Sequence, residues 1–289
     1  MDEPLTVTDI VRRAISRAHQ RLVDHAAEVR ATAGPEAVHQ ARVATRRLRS
    51  DLRTFEPWLE PRRAAELRGE LRWLGAELGS VRDLDVMRDR LRAHACALPA
   101  AEADAAERVI RRLDADREAA RADLVTILAQ ARYGYVRADL ADAAANPPCT
   151  AAAATTPATV LATAVRKRWR KLDHGVDKLG DHPADDALHA VRVRAKRCRY
   201  AADACVPAFG DPAREFAAAM ARIQDALGEH HDAVVAGAWL AKTAHECTPA
   251  EAYALGMLAE VERDSADAAT AEFATVWETA RRKRLRRWL

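Results

Sequence analysis

HQARVATRRLRSDLR, residues His39–Arg53, recurs 150 positions later as HAVRVRAKRCRYAAD, residues His189–Asp203. Aligned without a gap, His39 falls on His189, Arg42 on Arg192, Arg46 on Lys196, Arg47 on Arg197 and Arg49 on Arg199. Neither copy contains Pro or Gly, and Ala, Arg, Leu and Lys favour helix, so both are read as α-helices. At about 100° per residue, His39, Arg42, Arg46 and Arg49 fall within an arc of roughly 80°. His189, Arg192, Lys196 and Arg199 make the matching stripe. Arg53 extends the first stripe, and Asp203 stands in its place in the second. On the far side lie Ala41, Ala44, Leu48, Leu52 and Phe55, and in the second copy Val191, Ala195, Cys198, Ala202 and Cys205. Each helix therefore carries a core face and a cationic face.

Like charges three or four residues apart destabilise an isolated helix by a few tenths of a kcal/mol per pair. A solvated helix face avoids this by mixing signs. Here neither stripe has an acid among its four cations, and the pattern is built twice. The expected role is a polyanion-binding surface rather than an ordinary Arg-rich exterior.

The composition is that of an all-α protein: 49% hydrophobic, 31% charged, 5% aromatic and only 11 Gly in 289 residues. The net charge is only +3, from 46 basic and 43 acidic side chains, so anion affinity has to come from local segregation of charge. Five cysteines with no CxxC spacing argue against a disulfide framework or a zinc site. MDEPLTVTD lacks the pattern of a signal peptide, and no apolar run approaches the ~18 residues of a membrane span. A cytoplasmic protein with no membrane partner is expected.

Along the chain, Thr8 or Asp9 is expected to cap a first helix reaching about Ala31, with Arg13, Arg17 and Arg21 on one face. Gly34-Pro35 starts the His39 helix. Pro61 opens a third helix expected to stop at Gly79, with another from there to about Ala97, and a long charged helix runs over 101–131. Residues 143–156 read as a linker, uncharged and Pro-containing. After it the pattern restarts: Val160, Leu161, Ala164, Val165 and Leu172 sit on Ile10, Val11, Ala14, Ile15 and Leu22, and Lys167 and Lys171 on Arg17 and Arg21. ALGEHHDAVV (226–235) matches ELGSVRDLDV (77–86), placing Gly228 on Gly79, His231 on Arg82 and Asp232 on Asp83, but Val234 on Asp85. Two further helices are expected, from about Ala250 to Ser265 and from about Ala268 to the end. The reading is an internal duplication: repeat one over 5–142 and repeat two over 157–289, two tandem helical bundles packed about a pseudo-twofold axis with a basic central groove.

VHQARVATRRLRS and LHAVRVRAKRCRY, each followed by LGxxxD (LGSVRD, LGEHHD), resemble the CHAD family, the conserved histidine α-helical domain. The resemblance covers nearly the whole chain, as one domain over 5–289. It implies an all-α duplicated bundle that binds inorganic polyphosphate without catalysis or cofactor, at polyphosphate granules, with polyphosphate-metabolising enzymes as possible partners. By the same resemblance, His39, Arg42, Arg46, Arg49, His189, Arg192, Lys196 and Arg199 form the ligand stripe. The candidate set also takes in Arg47, Arg53 and Arg197, then Arg13, Arg17, Arg21, Lys167 and Lys171 on the preceding helices, and Arg82 and His231. Many relatives carry a fused triphosphate-tunnel domain with an ExExK motif, which is absent here.

Other signals are weaker. Asp83 and Asp232, four residues after a helix-ending Gly, read as helix caps or dipole partners, with orientation of a stripe Arg as the rival. Glu229-His230-His231-Asp232 has a metal-like composition, but neither His39 nor His189 has a second ligand one turn on, so no metal is assigned. The Trp residues read as core fillers, too dispersed for base stacking. The tail Arg281–Trp288, six cations in eight residues, reads as a frayed helix end or as a second polyanion contact. The competing functions are a metal-dependent polyphosphate or nucleotide phosphohydrolase and a nucleic-acid binder; a near-neutral charge and few aromatics disfavour the latter.

Overall fold

The computed structural model describes residues 5–289. Its regular structure is helical: α1 (Val7–Thr32), α2 (Pro35–Thr54), α3 (Pro61–Ala95), α4 (Ala100–Ala129), α5 (Ala131–Ala145), the short α6 (Ala151–Thr155), α7 (Leu161–Val176), α8 (Asp185–Phe209), α9 (Asp211–Ala244) and α10 (Pro249–Ala280), with three one-turn 3-10 segments. Among these no helix is long and apolar enough to cross a membrane.

α1 starts earlier than Thr8 or Asp9. Thr6 is the cap, its hydroxyl accepting from Asp9 N–H at 3.3 Å while Asp9 Oδ2 accepts from Thr6 N–H at 2.9 Å. This reciprocal pairing satisfies two otherwise orphaned donors, and those bonds from Thr6 hold the Asp9 carboxyl below its ordinary range. α2 begins with Pro35 directly after Gly34, where a proline loses no helical hydrogen bond.

The expected core faces are buried: Ala41, Ala44, Leu48, Leu52 and Phe55 on one side, Val191, Ala195, Cys198, Ala202 and Cys205 on the other. α2 packs on α1 and α3, and α8 on α7 and α9. One large core runs through these helices, and a smaller one joins α3, α4, α9 and α10 around Leu91, Ile110, Leu240 and Leu258. α2 and α8 also meet each other: Arg46 Nε donates to Tyr200 Oη at 3.0 Å, and Arg47 pairs with Asp203 at 3.0 Å.

Three expected breaks are absent. α3 runs straight through Gly79, α9 straight through Gly228, and α10 is one helix where two were expected. At Gly79 the lack of a side chain makes room: a Cβ there would come within 2.7 Å of Arg42 Nη1, whereas at Gly228 a Cβ would make only ordinary contact, 3.6 Å from Arg192 Nη2. Gly79 admits a guanidinium from the neighbouring helix. Asp83 and Asp232 are therefore mid-helix residues and cap nothing. α4 ends at an extended Gln130, within two residues of the expected end at 131, and α5 follows at once.

The stretch read as a linker is tied down at both ends. Glu60 N–H donates to Pro148 O and Thr150 N–H to Trp58 O, both at 2.9 Å, and Val7 N–H donates to Thr156 O at 2.9 Å. The basic tail is not frayed either. Leu285 and Leu289 are buried, Trp288 packs 4.9 Å from Phe209, and Arg286 lies 4.6 Å above the Trp169 ring.

Candidate functional site

The cations of α2 and α8 line two cavities. The first, of about 590 Å³, lies between α2, α3, α8 and α9 and is lined by His39, Arg42, Arg46, Arg82, Arg90, Arg192 and His231, with Asp83 and Asp232 as its acids. The second, of about 760 Å³, lies between α2, α3, α7 and α8; Arg49, Arg53, Arg68, Arg72, Lys167, Arg168, Lys171 and Arg197 line it, against the single acid Glu56. Arg46 and Arg49 are one turn apart on α2, so one helix face serves both.

In the first cavity the approach over Gly79 lets Arg42 reach Asp83 at 3.1 Å. Asp83 thus orients a stripe arginine, the rival reading above, whereas Asp232 lines the same cavity as Arg192. Two guanidinium nitrogens of the stripes are buried without a partner: Arg42 Nη1 and Arg192 Nε. A buried unpaired donor costs roughly 1–3 kcal/mol, and both nitrogens lie against the neighbouring helix, beside Gly79 and Gly228. His189 is exposed and sits against His231, Nδ1 to Nδ1, at 3.2 Å.

Uncompensated positive charge marks the region. Lys196, half-buried on α8, is pushed down to about 8, first by burial and then by Arg46, Arg192, Arg42 and Arg49. Burial followed by Arg192, His189, His230 and Lys196 lowers His231 to about 4. His39 is lowered by burial, Arg82, Arg46 and Arg42 against the opposing pull of Glu36. Burial and then Arg53, Arg72, Arg46 and Arg197 lower Arg49. Asp232 moves the other way because burial outweighs Arg192.

Not every expected residue joins. Arg47 is held by Asp203 and, with Arg17 and Arg21, borders a nearly closed gap over buried Asp51. Asp51 is pushed up to about 8 by burial, against the pull of Arg47. Arg13 is exposed on α1 and lines neither cavity. Arg199 leans on Gln224 at 3.5 Å and Asp203 at 3.9 Å. Arg194, the extra cation of α8, is packed over Gly175.

Four cations escaped the sequence reading: Arg68, Arg72 and Arg168 in the second cavity and Arg90 in the first. The positions aligned with Arg68, Arg72 and Arg168 are Ala217, Ala221 and Ala18, so a search for duplicated charge passes over them. The spacing of Arg68 and Arg72, one turn apart beside Leu67 and Leu71, was the available signal.

The comparisons agree with this architecture. An uncharacterized protein of Mycobacterium tuberculosis, MT2285 in one strain and Rv2226 in another, is 33% identical over 273 residues, 91% of this chain and 52% of its own length. The chain thus spans about half the length of the curated relatives it matches. PptA from Streptomyces chartreusis shares the fold with a TM-score of 0.79 and 27% identity, over 96% of this chain and 100% of its own. The crystal structure of the CHAD domain from the plant Ricinus communis matches with a TM-score of 0.71 over 95% of this chain and 93% of its own, at 23% identity, a likeness of fold. The CHAD domain profile itself matches residues 13–241, so the chain belongs to the CHAD family.

Proposed function

We propose that this protein binds inorganic polyphosphate without cleaving it, in one trough formed by the two cavities and bridged by Lys196. The observation that carries the reading is the second cavity: eight cationic side chains against one acid, on a chain whose net charge is only +3. Polyphosphate offers closely spaced charge and no bases to read. Arg suits it because the planar fork engages two phosphate oxygens at once. The α2 stripe from His39 to Arg53 extends about 21 Å, enough for several consecutive phosphates. In this reading residues 5–289 form one domain, its repeats (5–142 and 157–289) are related by a pseudo-twofold axis, and α2 and α8 present their stripes to a shared basic groove. A module that coats the chain rather than cutting it also fits residence at polyphosphate granules, beside enzymes that make or consume the polymer.

The test is a titration with long-chain polyphosphate at two salt concentrations, with RNA and DNA as competitors. Affinity should fall steeply with salt, because binding a linear polyanion releases condensed counterions, and nucleic acid should compete poorly. Equal competition by RNA would favour the nucleic-acid reading. Phosphate release under Mg²⁺ or Mn²⁺ would favour the phosphohydrolase.

Lys196 gives the binding a pH signature. In the free protein its amine titrates at about 8, and a bound polyanion raises that value. Between these two values the complex holds more protons than the free protein, so affinity falls as pH rises. A loss of about tenfold between pH 7 and pH 10 is expected, one unit of pKa shift being worth about 1.4 kcal/mol. In Lys196→Arg the charge persists, and the curve should flatten. A variant that keeps the wild-type pH dependence would remove Lys196 from the trough.

A further inference from the structure

The second cavity has a wall that a bare phosphate chain does not use. Besides the cations, Pro57, Trp58, Ala65, Val160 and Ala164 line the cavity. Trp58 closes the one-turn segment Glu56–Trp58 and is fixed through its backbone, donating to Phe55 O at 2.8 Å and accepting from Thr150 N–H at 2.9 Å. The cavity therefore joins an aromatic residue of fixed backbone, partly packed against the core, to a dense cluster of guanidinium and ammonium groups.

The duplication makes the cavity stand out. Lys167, Lys171 and Arg197 align with Arg17, Arg21 and Arg47, and these border the gap over Asp51, which is about 10 Å³ against about 760 Å³ here. In one copy the space is closed by Arg47 on Asp203 with Asp51 beneath. In the other it is open and has gained Arg68, Arg72 and Arg168. A trough for an unbroken polymer needs no such difference between its halves.

We propose that this cavity is a site for a nucleoside polyphosphate, with the base against Trp58 and the phosphates on Arg49, Arg72, Lys171 and their neighbours. Its volume lies in the usual range for small-ligand pockets. Base stacking on an aromatic side chain typically contributes a tenfold or greater gain in affinity. The assignment rests on the reading that these cations hold phosphates, and adds a second class of ligand that would compete with the polymer for one end of the trough.

The experiment compares ATP with tripolyphosphate on the full chain, followed by calorimetry, with long-chain polyphosphate as reference. Tripolyphosphate carries more charge than ATP, so a purely electrostatic site prefers it. The expected result is ATP binding about tenfold tighter than tripolyphosphate. Trp58→Leu should erase that preference while leaving tripolyphosphate affinity unchanged, and Trp58→Phe should keep it; a circular-dichroism melt of each variant verifies the fold. Tripolyphosphate binding as tightly as ATP, or a preference that survives Trp58→Leu, overturns the nucleotide site while the polymer reading stands. Failure of long-chain polyphosphate to bind the wild-type chain overturns the reading of the cations instead.

Discussion

Replacing Arg42, Arg46, Arg192 and Lys196 together by Glu is expected to lower affinity for long-chain polyphosphate at least about a thousandfold at low salt. The four come from both halves and surround the place where α2 passes α8; Lys196 counts the other three among its closest charges. Each phosphate contact contributes about 0.7 to the slope of log affinity against log salt on a single-stranded polyanion. Losing four should flatten that slope by roughly three units. The thermal melt is read first, because the substitution exchanges a cluster of cations for a cluster of acids beside Asp83 and Asp232. A Gln version of the same four positions separates the two effects, keeping the neutralised stripe without the new acids beside Asp83 and Asp232. Binding by calorimetry or anisotropy at two salt concentrations, with a thermal melt, decides it. Unchanged affinity in a folded variant would take the ligand away from this face of α2 and α8.

How much of this was legible in the sequence depended on whether the signal was local to one helix. The cationic and apolar faces of α2 and α8 were, because both follow from the 3.6-residue period, and the expected core residues are buried. Gly79 and Gly228 were misread because a glycine that ends a helix and one that admits a neighbour's side chain look alike. At Gly79 the difference lies in Arg42, on another helix. The withdrawal of Arg47 was hidden in the same way, since Asp203 reaches it across the α2–α8 contact. Arg68, Arg72 and Arg168 are hidden for the opposite reason: each is local to one helix but has no counterpart in the other repeat, where Ala217, Ala221 and Ala18 stand.

The mismatch of Asp85 with Val234 has a structural cause, and it leads to the largest stability effect expected here. Asp85 Oδ1 accepts from Arg117 Nε at 2.8 Å and from Arg121 Nη2 at 3.0 Å, with Asp85 only 1% and Arg117 5% exposed. This cluster fastens α4 to α3. At the other end the polarity is inverted: α10 supplies the acid, Glu262, and α3 supplies Arg90 Nε at 2.6 Å and His94 Nδ1 at 2.9 Å. Val234 lies on α9, which meets α10 through apolar side chains such as Ala236, Leu240 and Leu258. Asp85→Ala leaves two guanidiniums facing an apolar site, with only Asp114 and Glu118 as remaining partners. Breaking a buried pair by removing one member typically costs 3–5 kcal/mol, so the melting temperature should fall by about 10 °C. Adding Arg117→Leu should recover part of that loss, since the stranded charge rather than the missing contact dominates it, and the double-mutant cycle measures the coupling. Asp85 lines neither cavity, so polyphosphate affinity of the folded fraction should change little. An Asp85→Ala protein that melts within a degree of wild type would mean that the α3–α4 joint is held by Leu91, Val109 and Ile110 alone.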